Sequence, residues 1–235
     1  MQTLFLIPAR GGSKGIPGKN VKLFAGKPLV SYSIALARQF AQDNDICLST
    51  DDDAIAVVAE KMGLPVPFRR PTELATDTAT SNDVIMHALG FYESLGRTYD
   101  NIILLQPTSP LRKAFHVKEA LSLYTDEIDL VLSVKLTEAN PYFVLFEENK
   151  DGLLEKSKTG NFTRRQDCPK VWQANGAIYI YNVQSLKQGV EPTNRRIIKY
   201  VMESKFSADI DTELDWLYAE FLNSNLNFLK ASDET

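Results

Sequence analysis

"TLFLIPARGGSKGIPGKN", residues 3 to 20, joins a short apolar run to a glycine-rich basic loop. "TLFLIP" (3–8) has the length and character of a buried strand. The next residues carry Gly11, Gly12, Gly15 and Gly18 together with Arg10, Lys14 and Lys19. Glycine lets a backbone adopt positive φ and approach a ligand closely. Successive amide N–H groups can then make an anion-binding nest. Three cations near the end of the first strand suit a polyphosphate, with Arg able to bind bidentately and Lys acting as a mobile point charge. The spacing is not that of a Walker loop, and the glycines do not keep the dinucleotide fingerprint. Taken alone, the loop says that an anion docks after the first strand; a basic solvated turn is the bland alternative.

Outward from this stretch, strand-like runs alternate with helical patterns. Residues 28–41 predict a helix with Leu29, Val30, Ile34, Ala37 and Phe40 inward, followed by a strand at 45–50. Residues 52–63 predict a helix closed by Gly63, and 66–68 a short third strand. A helix at 80–96, a strand at 100–106, a helix at 114–125 and a strand at 128–134 continue the alternation. Strands at 176–182 and 195–202 and a helix at 211–229 end it, the helix with Leu214, Leu217, Tyr218, Phe221, Leu222 and Leu226 on one face. The fold class expected is α/β, a doubly wound, mainly parallel sheet with helices on both faces. Residues 138–172 break the rhythm and read as a small excursion within a single domain spanning 1–235.

Bulk properties narrow the function. A chain of 235 residues, 44% hydrophobic and 24% charged, can bury a core. Its net charge of −4 argues against a nucleic-acid partner, while leaving room for a local basic pocket. Cys47 and Cys168 make no disulfide framework, and two histidines, His87 and His116, make a zinc site improbable. No apolar run reaches membrane-spanning length, so no membrane partner and a cytoplasmic location are expected.

Three further segments carry chemistry. "RRPTELATDTATS" (69–81) offers Arg70 and Ser81, although Thr80 or Ser81 also suits a helix cap. "LLQPTSPLR" (104–112) follows an apolar strand and presents Gln106; its Arg112 could bind a carboxylate or brace a loop. "DIDTELD" (209–215) sets Asp209 and Asp211 two residues apart, on one side of an extended segment. A hard cation such as Mg²⁺ takes one or two carboxylates plus phosphate and water oxygens. Asp211 as a helix cap is the structural alternative.

In register, the opening motif, "LQPTSPLR" and "DIDTELD" resemble the CMP-sialic acid synthetases, the acylneuraminate cytidylyltransferases. "STDD" (49–52), "RRQD" (164–167) and "NGAIYIYN" (175–182) support the resemblance over nearly the whole chain. It implies a Rossmann-like nucleotidyltransferase fold that transfers CMP from CTP to a nonulosonic acid with Mg²⁺ or Mn²⁺. It implies catalytic roles for Arg10, Lys14, Lys19 and Asp211, and nucleotide contacts from Ala9, Arg10, Gly11, Lys14, Asn20, Arg70 and Ser81. Gln106 and Arg165 would face the sugar acid, and Asp209 and Asp211 the metal. Residues 138–172 would be a dimerisation element reaching over a neighbour's site in a homodimer. The acid itself stays open among neuraminate, legionaminate and pseudaminate. A 3-deoxy-manno-octulosonate cytidylyltransferase and a non-catalytic nucleotide-binding protein are the alternatives.

Overall fold

Thr3–Pro8 (β1) is flanked in space by two later strands, and this fixes where a ligand can enter. The computed structural model describes residues 1–230, with side chains as far as Leu226. β1 pairs in parallel with Ile46–Ser49 (β4) on one side and with Asn101–Leu104 (β5) on the other. Between β1 and β4 come a two-residue hairpin, Leu23–Phe24 (β2) with Lys27–Pro28 (β3), and the helix Leu29–Ala37 (α1). The helices Asp53–Lys61 (α2) and Ser81–Ser94 (α3) carry the chain from β4 to β5.

The second half adds Ala114–Ser122 (α4), Leu130–Leu136 (β6), Phe146–Glu148 (β7), Leu154–Lys156 (β8) and Trp172–Asn182 (β9). Val183–Lys187 (α5), Ile197–Val201 (β10) and Glu213–Lys230 (α6) follow. The main sheet has six strands in the order β10-β6-β9-β5-β1-β4. β9 is antiparallel to both β5 and β6, while β10 and β6 are parallel. Five strands therefore share a direction and β9 alone is reversed, so the sheet is mainly parallel as expected.

Alternation along β1 sends Phe5 and Ile7 to one face and Leu4 and Leu6 to the other. Phe5 and Ile7 join Val30, Ile34, Ile55 and Val117 in the core under α1, α2 and α4. Leu4 and Leu6 join Cys47, Val84, Ile85 and Leu89 under α3. A third, smaller core of Ile16, Phe24, Leu29, Ile210, Trp216 and Leu222 fastens the opening loop to the start of α6. Burial of each such side chain contributes roughly 1.5–3 kcal/mol.

Three expectations are corrected. Residues 66–68 form no strand; the chain touches the sheet there only through a Thr50–Arg69 bridge. The inward face of α6 carries Trp216, Ala219, Leu222 and Leu226, whereas Leu214, Leu217, Tyr218 and Phe221 point outward. Apolar residues surround this helix, so periodicity alone did not choose its core face. β9 begins at Trp172, earlier than residue 176, because it crosses an irregularity in its pairing with β6. Residues 138–171 leave the sheet and fold back through the β7–β8 hairpin. Among the described residues no helix is long and apolar enough to cross a membrane.

Candidate active site

In a mainly parallel sheet, ligands bind beyond the carboxyl ends of the strands where the strand order reverses. Here that point lies between β1 and β5, since the chain leaves β1 for β4 and returns to pair β5 on the opposite side. A cleft of about 610 Å³ opens there. Arg10, Lys14, Lys19 and Asn20 line it from the loop after β1. Arg70 and Ser81 come from the segment before α3, Gln106 and Thr108 from the turn after β5, and Asp209 and Asp211 from the approach to α6.

The opening loop is tied down at several points. Ala9 N–H donates to Ser49 O at 3.0 Å, and Gly11 N–H donates to Asp51 Oδ1 at 3.0 Å. Asn20 Nδ2 donates to the Arg10 carbonyl at 2.9 Å. Neither Ala9 nor Gly11 therefore keeps its amide for a ligand. The backbone-nest reading gives way at these two positions, and the side-chain cations carry the anion-binding character. Gly15 faces Asp211 so closely that a Cβ there would lie 2.0 Å from the Asp211 carbonyl oxygen.

Lys19 joins the two ends of the chain. Its side chain is buried, and Nζ donates to Ile210 O at 2.5 Å and to Asp211 Oδ1 at 3.0 Å. Asp211 is 73% exposed at the cleft mouth. The helix-capping alternative fails for it, because Thr212 does that work. Thr212 Oγ1 accepts from Asp215 N–H at 3.2 Å, and Asp215 Oδ2 accepts from Thr212 N–H at 2.8 Å. The same reciprocal arrangement starts α3, with Thr80 as cap and Asp83 answering it. Ser81 is thus released from capping and lines the cleft.

Arg10 and Lys14 converge on one carboxylate. Arg10 Nη2 lies 2.7 Å from Asp77 Oδ1, and Lys14 Nζ pairs with Asp77 Oδ2. Hydrogen bonds from Lys14 and then Arg10 hold the Asp77 carboxyl below the usual carboxylate range. Arg70 is buried, and its guanidinium donates to Ser49 Oγ at 3.0 Å and Ser49 O at 2.6 Å. Burial pushes its pKa down, partly opposed by Asp51.

Asp209 opens to solvent through the cleft, while protein crowds the base of its side chain. That crowding raises its pKa, and the like charge of Asp211 adds to the rise; Thr108 and Lys19 oppose it. Among the described residues no group of three or more His, Cys, Asp or Glu could hold a metal. The pair alone would need oxygens from a ligand and from water to complete a cation's shell.

A cytidylyltransferase family profile matches residues 4–231. The chain belongs to the cytidylyltransferase family. Among its relatives, it is 35% identical to the N-acylneuraminate cytidylyltransferase of Streptococcus agalactiae over 93% of this chain and 52% of that protein. The chain thus spans about half the length of that relative. It is 33% identical to the CMP-N,N'-diacetyllegionaminic acid synthase of Legionella pneumophila, over 94% of this chain and 96% of that protein. It is 35% identical to the post-translational flagellin modification protein B of Campylobacter coli, over 99% of both. In fold it is similar to a solved CMP:2-keto-3-deoxy-manno-octonic acid synthetase complexed with CTP. That likeness has a TM-score of 0.69 at 18% identity, covering 96% of this chain and 99% of the other.

Within this cytidylyltransferase-family chain, three expected residues do not line the cleft: Ala9 and Gly11 lie within the opening loop, and Arg165 lies elsewhere. Arg165 stands exposed on the excursion, donating to the Glu138 carbonyl at 2.9 Å. Arg112 takes the bracing role. It is buried and donates to Gln106 O at 2.6 Å, to Ser109 O at 2.9 Å and to Ser33 Oγ. Burial lowers its pKa to about 9. Sequence reasoning assigned no role to Ser49, Asp51, Asp77, Thr108 or Gly176. "STDD" and "NGAIYIYN" contain three of them, and nothing local in those segments marks the contacts they make.

Proposed function

We propose that the chain transfers CMP from CTP to the anomeric hydroxyl of a nonulosonic acid and releases pyrophosphate. The observation that carries this reading is that one cleft gathers Arg10 and Lys14 from the loop after β1 with Asp209 and Asp211 from the approach to α6. In the reaction the anomeric oxygen bonds to the α-phosphorus as the bond to pyrophosphate breaks. Arg10 and Lys14 bind the triphosphate and neutralise the charge that gathers on the leaving group. Lys19 holds Asp211 to the opening loop. Ala9, Gly11, Asn20, Arg70 and Ser81 shape or contact the nucleotide pocket, with Ala9 and Gly11 acting through the loop's conformation. Gln106 contacts the sugar acid. Asp211, exposed at the mouth, takes the proton of the attacking hydroxyl.

Asp209 and Asp211 together would hold Mg²⁺ or Mn²⁺. Their fit to such an ion rests on two hard oxygen donors facing one cleft. When bound, the ion would supply positive charge to the phosphates and orient them. The protein's own share is positioning, which can lower a barrier by several kcal/mol (about 7–11 in well-oriented intramolecular reactions).

A homodimer is part of this reading. The excursion at 138–172 leaves Val144, Leu145, Phe146, Leu153 and Leu154 exposed, an apolar surface that a second copy would cover. Arg165 would then meet the sugar carboxylate across the dimer, where a bidentate guanidinium suits it. CTP supply puts the reaction in the cytoplasm.

The test is pyrophosphate release from CTP and Mg²⁺ with N-acetylneuraminate, N,N'-diacetyllegionaminate, pseudaminate and 3-deoxy-manno-octulosonate. N,N'-diacetyllegionaminate comes first, because the Legionella relative matched along nearly its full length is named for it. Release with a nonulosonic acid and little with the octulosonate is expected. Tight CTP binding without release from any acid would establish a non-catalytic binding protein instead.

A further inference from the structure

The segment "NGAIYIYN" lies where β9 loses register with β6. Leu132 pairs with Tyr179 but Val134 pairs with Ala174, so residues 175–178 of β9 face Ser133 alone. A break of this kind leaves ladder N–H groups without strand partners. Two side chains replace them. Asn175 Oδ1 accepts from Ala177 N–H at 3.2 Å, and Ser133 Oγ accepts from Ile178 N–H at 2.7 Å. Ser133 Oγ in turn donates to Asn175 Oδ1 at 2.6 Å.

Asn175 then reaches away from the sheet. Its Nδ2 donates to Ser207 Oγ at 2.9 Å and contacts Met202 Sδ at 3.4 Å. Its carbonyl accepts from Ser109 Oγ at 3.4 Å. Asn175, Ser133, Ser207 and Ser109 are all buried. This polar clip ties four parts together: β6, the bulge, the turn that carries Gln106, and the irregular segment that leads to Asp209.

Gly176, next in the chain, has φ of +72°. A Cβ there would stand 2.9 Å from Asp209 Oδ2 and 3.1 Å from Gln106 Oε1. The bulge therefore turns a bare backbone toward both groups, and only glycine meets the space and the conformation together. A glycine within a strand pattern marks such a close approach.

We infer that Asn175 and Gly176 are positioning residues that set the Asp209 carboxylate and the Gln106 amide for cation and sugar. This rests on the proposed role of Asp209 at the metal. Asn175 acts through the bulge, and Gly176 through the space it leaves.

The test is Mn²⁺ titration into the full chain with CTP present, free Mn²⁺ being read by electron paramagnetic resonance, with thermal melting by circular dichroism alongside. Gly176→Ala and Asn175→Ala are expected to weaken Mn²⁺ binding by about tenfold or more, the range for partners that orient metal ligands. Ser207→Ala, which removes one clip contact and leaves the bulge and Gly176 in place, weakens it less and keeps the fold. Metal-free CTP affinity stays close to wild type in all three. Mn²⁺ binding equal to wild type in folded Gly176→Ala or Asn175→Ala overturns the inference. Should those two fail to fold, Ser207→Ala decides, and wild-type Mn²⁺ affinity in it has the same force. A wild-type chain that takes up no Mn²⁺ with CTP removes the metal reading and this inference together.

Discussion

Lys19 Nζ stands 3.0 Å from Asp211 Oδ1, although 192 residues separate them in the chain. A buried ammonium from the opening loop thus meets an exposed carboxylate from the last helix's approach. Ile16, Ile210 and Trp216 pack beneath this link. The opening loop and the approach to α6 are thus joined along this side of the cleft.

Asp211→Asn tests what the carboxylate does beyond this link. The amide keeps the shape and can still accept from Lys19, so the fold should survive. Turnover should fall by roughly 10²–10³-fold, the scale for losing one preorganised electrostatic group. Metal-free CTP affinity, measured by calorimetry, should change little. Near-normal turnover at low Mg²⁺ would refute the assignment.

Gly15→Ala should separate the opening loop from the approach to α6. Its Cβ would fall 2.0 Å from the Asp211 carbonyl oxygen, a backbone atom that cannot swing away. Overpacking of this sort costs about 1–3 kcal/mol. Gly12→Ala is the matched control, since no atom lies within 4 Å of its Cβ position. Thermal melting should show a clear drop for the first and almost none for the second. Equal melting temperatures would mean that the contact yields freely.

How much of this was legible beforehand depended on sequence distance. β1 and its basic loop are contiguous, so strand, glycines and cations declare themselves in one reading. Asp209 and Asp211 are also local. The link between Asp211 and Lys19 is tertiary, and no local reading gives it. The caps at Thr80 and Thr212 were ambiguous because a Ser or an Asp stands beside each and is just as capable. Of the six residues expected on the inner face of α6, Leu222 and Leu226 are buried and four point outward, since Leu214, Leu217, Tyr218 and Phe221 look as apolar as the residues it buries. Asn175–Gly176 did leave a signal, an Asn-Gly pair inside a strand pattern. Its meaning depended on Ser133 and Asp209, which no local reading connects.

His116 predicts an acid sensitivity. Burial against Phe115, Phe206 and Tyr200 lowers its pKa to about 4, with Glu119 and Glu203 only partly opposing. Its Nδ1 accepts from Lys113 N–H at 2.9 Å, so the neutral ring is the one the fold uses. The unfolded chain, with a histidine pKa of about 6.5, takes up the proton first as pH falls. Stability from this group is therefore complete above about pH 6.5 and is lost progressively toward pH 4. His116→Asn can keep the acceptor without titrating. Melting curves between pH 7 and 4 should show a shallower decline for the variant. Parallel declines would assign the acid sensitivity to other groups.

Asp77 makes the last prediction, because it occupies the two cations meant for the triphosphate. Arg10 lies 2.7 Å from its Oδ1, and Lys14 pairs with its Oδ2. CTP must draw both away, and the carboxylate competes with phosphate for them. Exposed pairs of this kind are worth about 0.2–1 kcal/mol each. Asp77→Asn should accordingly bind CTP severalfold more tightly, with pyrophosphate gaining in parallel as a competitor. Because the competition is between charges, the gain should shrink as ionic strength rises. Weaker CTP binding in the variant would give Asp77 the opposite role: holding Arg10 and Lys14 in the orientation that the nucleotide needs.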